Sequence, residues 1–142
     1  MRIGRYRIDP VVDGEGRQPA SEVFPGLRPC MERFESLDEG VLFPGIDVRH
    51  APGHTPGSAV VVLSEGNRRV VVLGDVAHSP VQLLEREWNT PYDVDPVLAR
   101  STREDVLRDL DGDLAALVAG MHFPGLRFGR VLDVEGRRRW VV

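Results

Sequence analysis

Three positions of the sequence place a metal-binding side chain in a rigid loop or directly after an apolar segment. His54 lies in a Pro- and Gly-rich loop, Asp75 follows the apolar run 70–73, and His122 follows the apolar run 114–119. Loops at the ends of buried strands hold side chains at fixed separations, because the sheet behind them is rigid. Two imidazoles and one carboxylate are the three protein ligands of a catalytic zinc site, with a fourth position left for water. If the loops converge, the sequence predicts a zinc site at His54, Asp75 and His122, and the same ligands would suit iron(II).

Catalytic roles are expected for Asp75 and for His78, which lies three residues further on. Zinc lowers the pKa of a bound water to near neutrality and so supplies a hydroxide for hydrolysis. Asp75 would then be both a ligand and a local base, and His78 a proton carrier. His78 and His50 are also each candidates for a further ligand or for a hydrogen-bond donor behind a ligand. Trp88, Tyr92 and Phe123 are candidates for the walls of a substrate pocket.

Each of these residues also has a simpler interpretation. A histidine in a Pro/Gly loop is usually an exposed turn residue, and an aspartate after a strand-end glycine usually caps a turn. Large aromatic side chains belong by default to the core. The spacings of 21 and 47 residues between His54, Asp75 and His122 do not decide between ligand and turn residue.

Composition and charge exclude several classes of protein. The chain has 142 residues, 42% of them hydrophobic and 28% charged, which is ordinary for one globular domain. Its net charge of −4 gives no support to nucleic-acid binding. Cys30 is the only cysteine, so no intramolecular disulfide can form and a cytoplasmic location is expected. No apolar run approaches the roughly 20 residues of a membrane span, so no membrane association is expected.

Strands and one main helix must position the candidate ligands. Two β-rich runs, 59–63 and 69–73, flank a Gly-Asn pair at 66–67 and predict a β-hairpin. An alternating pattern predicts a strand at 2–8, and residues 76–95 are expected to form an irregular, flap-like loop. The fold class is therefore α/β (α+β) with a mixed sheet. The other expected elements are a short helix at 30–37 and strands at 41–45, 46–49, 114–119, 129–134 and 138–142.

The main helix is predicted to begin at Asp95 and Pro96. Aspartate accepts hydrogen bonds from the first turn, and proline suits the first helical position. A second start is possible at Ser101 or Thr102, and Asp111 closes the helix. The apolar side chains expected along this helix are Val97, Leu98, Val106 and Leu110.

The loop sequences together resemble a known family. The segment 52–58 (PGHTPGS), Gly74-Asp75 followed by His78, and 122–124 (HFP) resemble the C-terminal half of metallo-β-lactamase-fold hydrolases. The segments 78–82 and 93–103 are similar to the branch that contains lactonases and organophosphate hydrolases. This resemblance implies an αββα sandwich with two metal ions. It also implies that His54 binds the first metal, Asp75 bridges the two, and His122 binds the second.

One signature of the family is missing from this sequence. The HxHxDH loop that supplies the other metal ligands is not present, and the four histidines are His50, His54, His78 and His122. We therefore expect a single truncated domain over residues 1–142, with an N-terminal strand and arm at 1–29 and the C-terminal half of the family fold at 30–142. Such a half-sandwich would expose an apolar sheet face, which predicts a homodimer.

The expected function is a metal-dependent hydrolase with a reduced, mononuclear site, most consistent with one zinc ion. Its substrate would be an ester, a lactone or a similar small molecule. An alternative is a metal-free version of the fold that serves as a binding or assembly module, or as an isomerase or cyclase with a histidine as general acid or base. A third is a folded chain without a chemical task.

Overall fold

The computed structural model describes residues 2–3, 6–7 and 40–142. The helix expected at 30–37 and the arm at 9–29 lie outside these residues. In place of the single strand expected at 2–8, strand β1 (Arg2–Ile3) pairs antiparallel with strand β2 (Tyr6–Arg7).

A five-stranded mixed sheet forms the centre of the described structure. Its strands lie in chain order across the sheet, with four antiparallel strands followed by one parallel strand at the edge. The predicted hairpin is confirmed, with Gly66 at its tip in the left-handed region (φ +59°), which glycine adopts at little cost. The strands are β3 (Gly40–Phe43), β4 (Ile46–His50), β5 (Ala59–Glu65), β6 (Arg68–Val72) and β7 (Leu117–Ala119).

The remaining elements surround this sheet. Helix α1 (Val81–Leu84) lies within the region expected to be irregular, and two 3₁₀ turns cover Gly74–Val76 and Pro124–Leu126. Helix α2 (Pro96–Leu110) is the main helix among the described residues. Strands β8 (Arg130–Val134) and β9 (Arg137–Val141) form the predicted C-terminal hairpin. The predicted class, α+β with a mixed sheet and one main helix, is confirmed.

Helix α2 begins where the sequence predicts. Asp95 Oδ1 accepts hydrogen bonds from the backbone N–H groups of Val97 (3.1 Å) and Leu98 (2.9 Å), which satisfies two unpaired donors of the first turn. The helix is continuous to Leu110, so the alternative start at Ser101 or Thr102 is not used.

The buried face of α2 differs from the expected one. Val97 is 76% exposed and Leu98 41%, so the apolar residues of the first turn face outward. The buried positions recur every three or four residues, as one face of a helix requires. Arginine fills one of them, which a search for apolar periodicity cannot anticipate. The buried residues of α2 are Ala99, Arg103, Leu107 and Leu110.

The core lies between α2 and one face of the sheet. On the sheet side it contains Val60, Val62, Val71 and Val118, all nearly inaccessible to water. The opposite face has its own cluster, in which Leu63 and Val70 are buried; Val61, Val72, Leu117 and Phe128 pack partly buried against it.

All three large apolar side chains of β3 are exposed. Val41 is 72% exposed, Leu42 43% and Phe43 59%. Among the described residues, no helix is long and apolar enough to cross a membrane.

Candidate metal centre

The loop that carries His54 is tied to itself by hydrogen bonds. Ala51 N donates to Ser58 O (2.7 Å), which closes the loop at its base. Thr55 N donates to Ser58 Oγ (3.0 Å), and the two hydroxyls of Thr55 and Ser58 lie 2.9 Å apart. The imidazole of His50, also considered as a ligand, donates to Pro56 O (2.6 Å) instead. The Pro-Gly-His-Thr-Pro-Gly-Ser sequence thus encodes a preformed loop rather than a flexible one.

Helix α2 holds the same loop from the other side. Thr102 Oγ1 donates to Pro52 O (2.6 Å), and Asp95 N donates to Gly53 O (2.9 Å). Gly53 has φ +135°, and a Cβ there would lie 2.3 Å from the backbone of Ala99. Only glycine permits this approach, so the first turns of α2 fix the position of His54.

The parallel pair β6–β7 brings the other two predicted ligands together. Val72 is in register with Ala119, and Leu73 N donates to Ala119 O (2.8 Å), which continues the pairing to the strand ends. Because parallel strands end at the same edge of a sheet, Asp75 and His122 emerge side by side. His122 Nε2 donates to Asp75 Oδ1 at 3.0 Å.

His78 is positioned by a buried glutamine. Gln82 is only 6% exposed, and its Oε1 accepts from the backbone N–H groups of His78 (2.7 Å) and Ser79 (3.2 Å). This contact fixes the turn before α1 and directs the His78 ring toward the site. Its Nε2 lies 3.7 Å from Asp75 Oδ1.

The structure thus brings four of the predicted residues into one cluster, composed of His54, Asp75, His78 and His122. The His78 ring lies between the other two imidazoles, with its centroid 4.9 Å from that of His54 and 4.7 Å from that of His122, on which it stacks. One ligand atom from each of His54, Asp75 and His78 lies within 4.8 Å of the others. The assignment of His122 as the third ligand and of His78 as a proton carrier stays a prediction.

Asp93 is a member of the site to which sequence reasoning gave no role. His54 Nδ1 donates to Asp93 Oδ1 at 3.1 Å, and the Asp93 side chain is only 2% exposed. Thr90 N donates to Asp93 Oδ2 (3.3 Å), which orients the carboxylate. The sequence signal that could have found it is an aspartate two residues before the helix cap, on the same segment that binds the His54 loop.

Electrostatics favour the neutral form of His78. Burial is the main cause of its lowered pKa, and the neighbouring His122 adds to the effect, while Asp75 opposes it. A neutral imidazole is the form that binds a metal ion.

The residues of the cluster fit a divalent metal ion. Imidazole nitrogens and a carboxylate oxygen are the ligands that zinc prefers, and zinc takes them at about 2.0–2.2 Å. His78 Nδ1 is buried and has no hydrogen-bond partner among the described residues, which is unfavourable unless something else satisfies it. One ligand atom from each of His54, Asp75 and His78 would hold such an ion.

The three aromatic residues proposed as pocket walls lie in different places. Trp88 and Tyr92 are 57% and 75% exposed. Phe123 is buried in the core, with its ring edge-on to Trp140 at 5.2 Å. Phe123 also lines a cavity of about 450 Å³ together with Pro80 and Trp140. Their assignment to one substrate pocket stays a prediction.

The chain thus combines a mixed sheet with a cluster of histidine and aspartate side chains on its strand-end loops that could hold a metal ion. The sequence model of the metallo-beta-lactamase superfamily matches residues 4–122, and the chain belongs to this family. The predicted resemblance is therefore confirmed. No curated protein matches the sequence.

Solved structures resemble the chain in three dimensions. A crystal structure of the hydrolase AbOPH, of the beta lactamase superfamily, matches with a TM-score of 0.70 and 26% identity, over 85% of this chain and 43% of that one. AidC, a dizinc quorum-quenching lactonase in complex with a product, matches with a TM-score of 0.66 and 23% identity, over 85% and 43%. A probable metal-dependent hydrolase from Staphylococcus aureus matches with a TM-score of 0.64 and 17% identity, over 74% and 38%. The chain thus spans less than half the length of these structures.

Proposed function

We propose that the chain is a metal-dependent hydrolase that holds one divalent ion, zinc by ligand preference, on His54, Asp75 and His78. The observation that carries this proposal is the approach of their three ligand atoms to within 4.8 Å of one another. Membership of the metallo-beta-lactamase superfamily supports hydrolysis as the reaction class. When bound, the ion would activate water and polarise the carbonyl group of a substrate.

His122 takes a different role in this proposal from the one the family resemblance implies. Its Nε2 is hydrogen-bonded to Asp75, and its side chain is 55% exposed, so it can exchange protons with solvent. We propose that His122 orients the Asp75 carboxylate and carries a proton to or from the reacting group. The stacking of His122 on His78 keeps the two imidazoles at a fixed separation.

The proposed substrate is a small ester or lactone with an apolar portion. AidC is described as a lactonase, which supports this substrate class by analogy of fold. The apolar portion is proposed from the cavity of about 450 Å³ that Pro80, Phe123 and Trp140 line, and none of the four cluster residues lines that cavity. Apolar walls of this kind bury the hydrocarbon part of a ligand while a few polar groups orient it.

Zinc titration of chelator-treated protein tests the ligand assignment. We expect one zinc ion per wild-type chain. Substituting a residue that only hydrogen-bonds to a metal ligand lowers zinc affinity roughly 10–100-fold, and His54→Ala and His78→Ala should each lower it by more than that. His122→Ala should lose no more than that roughly 10–100-fold in affinity, because His122 only orients the ligand Asp75, and it should lose hydrolysis of an aryl ester. His50→Gln is the matched control, since it removes an imidazole outside the cluster while its side-chain amide can still donate to Pro56 O in the His54 loop.

Two results would overturn the proposal. Absence of stoichiometric zinc binding by the wild-type chain would support the metal-free alternatives. Loss of binding in His122→Ala but not in His78→Ala would restore the ligand set His54, Asp75 and His122.

We also propose a cytoplasmic homodimer. Among the described residues β3 lies at the edge of the sheet, and its exposed apolar side chains support self-association, because a strand edge is a template for pairing with another chain. The single cysteine supports a reducing compartment. Light scattering of the purified protein tests the dimer, and a Phe43→Glu variant should shift it to monomer if β3 forms the interface; a wild-type monomer would refute it.

A further inference from the structure

We infer that Asp93 is the positioning residue of the metal centre: its carboxylate holds His54 in the Nδ1–H tautomer and leaves Nε2 as the ligand atom. The consequence for metal affinity rests on the proposed function, whereas the consequence for the tautomer does not.

The chemistry of the pair selects one tautomer. An ionised carboxylate only accepts hydrogen bonds, whereas a neutral imidazole has one donor and one acceptor nitrogen. Because Asp93 Oδ1 lies 3.1 Å from His54 Nδ1, the proton of the ring belongs on Nδ1. The lone pair of Nε2 is then free to bind a metal ion. Carboxylates behind metal-binding histidines commonly act in this way and raise the basicity of the ligand.

Burial makes this contact strong and specific. The Asp93 side chain is 2% exposed and that of His54 16%, so water competes weakly for either group. A buried carboxylate without hydrogen bonds is strongly unfavourable, and Asp93 has two, from His54 and from the backbone N–H of Thr90.

Backbone contacts keep the two partners in register. Val94 N donates to His54 O (3.1 Å), and Asp95 N donates to Gly53 O (2.9 Å). The two residues that follow Asp93 are therefore bonded directly to His54 and to the residue before it. Asp95 then caps α2, so the helix fixes Asp93 as well as the loop.

The inference is tested by two independent measurements on Asp93→Ala and Asp93→Asn. The first is the ¹⁵N shift of the His54 ring in metal-free protein at about pH 8.5, where an ordinary imidazole is neutral. We expect Nδ1–H in the wild type and in Asp93→Asn, whose amide oxygen still accepts, and a shift toward Nε2–H in Asp93→Ala. The second is zinc affinity, which we expect to fall roughly 10–100-fold in Asp93→Ala and less in Asp93→Asn.

Controls separate positioning from a general effect on folding. Asp111→Ala removes a carboxylate at the opposite end of α2 and should change neither measurement. A wild-type His54 in the Nε2–H form would overturn the inference. An Asp93→Ala variant that keeps both the wild-type tautomer and a zinc affinity within about threefold of wild type would also overturn it. If the wild type binds no zinc, the proposed function fails, and the tautomer still decides the role of Asp93.

Discussion

Replacing Gly53 with alanine should displace the loop that carries His54, whereas the same change at Gly57 should not. Gly53 has φ +135°, and a Cβ there would lie 2.3 Å from both N and Cα of Ala99. Atoms of this size pack at about 3.5–4.0 Å, so the loop and α2 would have to separate by more than about 1 Å. Nothing lies within 4 Å of a Cβ at Gly57, which makes it a matched control in the same loop.

The magnitude follows from the contacts at Gly53. An alanine held at this positive φ costs roughly 1–3 kcal/mol. Separation from α2 would also break the hydrogen bonds from Asp95 N to Gly53 O (2.9 Å) and from Thr102 Oγ1 to Pro52 O (2.6 Å). Each contributes roughly 0.5–1.5 kcal/mol, so the free energy of unfolding should fall by about 2–6 kcal/mol in total. The free energy of unfolding of a typical domain is only about 5–15 kcal/mol, so a loss of this size is readily measured.

Urea unfolding followed by tryptophan fluorescence is the assay. Gly57→Ala should stay within about 1 kcal/mol of the wild type, or gain slightly through a less flexible unfolded chain. Zinc affinity should fall in Gly53→Ala and not in Gly57→Ala, because only the first moves His54. A loss below about 1 kcal/mol in Gly53→Ala, or an equal loss in both variants, would show that the loop does not depend on its contact with α2.

Three further predictions concern the surroundings of the site. Arg138 donates two hydrogen bonds to Glu104 (2.7 and 2.9 Å) and lowers the pKa of that carboxyl. This stabilisation is present above the unfolded-state pKa of glutamate, about 4.3, and is lost as the pH falls through the lower folded-state pKa. The free energy of unfolding should therefore depend less on pH below about 5 in Glu104→Gln than in the wild type, and equal slopes would contradict this. Arg103→Met keeps an apolar stem but leaves buried carbonyls unpaired, so urea unfolding should show a loss of roughly 2–4 kcal/mol; an unchanged midpoint would show that water replaces the guanidinium. Asp95→Ala should cost about 1 kcal/mol by the same assay, while Asp95→Asn should stay within a few tenths, and equal losses would argue against a capping role.

The strands and the main helix were predictable because each has a local cause. Glycine and asparagine at 66–67 terminate two β-branched runs, and the hairpin forms where the sequence indicates. Asp95 and Pro96 specify the start of α2 through cap chemistry and a fixed φ, neither of which depends on the rest of the fold.

The buried face of α2 was not predictable, because tertiary contacts select it. Arg103 is 1% exposed and donates to Val76 O (3.3 Å) and Trp88 O (2.8 Å). Burial weakens the cationic form and lowers the pKa of Arg103, while the charge of Asp93 opposes this effect. The carbonyl groups of Val76 and Trp88 thus supply hydrogen-bond acceptors for the buried Arg103 side chain, whereas Val97 is exposed to water.

The candidate site was predictable in its residue types but not in its pairings. Strand-end loops indicated His54, Asp75, His78 and His122, and all four converge. Asp93 lies 39 residues after His54, and nothing in the local sequence links the two. Contacts between residues this far apart in the sequence depend on how α2 packs against the sheet, and the spacing of apolar residues does not predict that packing.

The parallel pairing of β6 and β7 has a consequence for the order of folding. The two strands are joined through α1, the loop before α2 and α2 itself, so the chain must close this long connection before Asp75 meets His122. The antiparallel hairpin β5–β6 needs only a two-residue turn and can form first. The proposed ligands His54, Asp75 and His78 all precede α1 in the chain, whereas His122 reaches Asp75 only after β7 has paired. The hydrogen bond from His122 to Asp75 should therefore form late, so His122→Ala should speed unfolding and leave the refolding rate nearly unchanged.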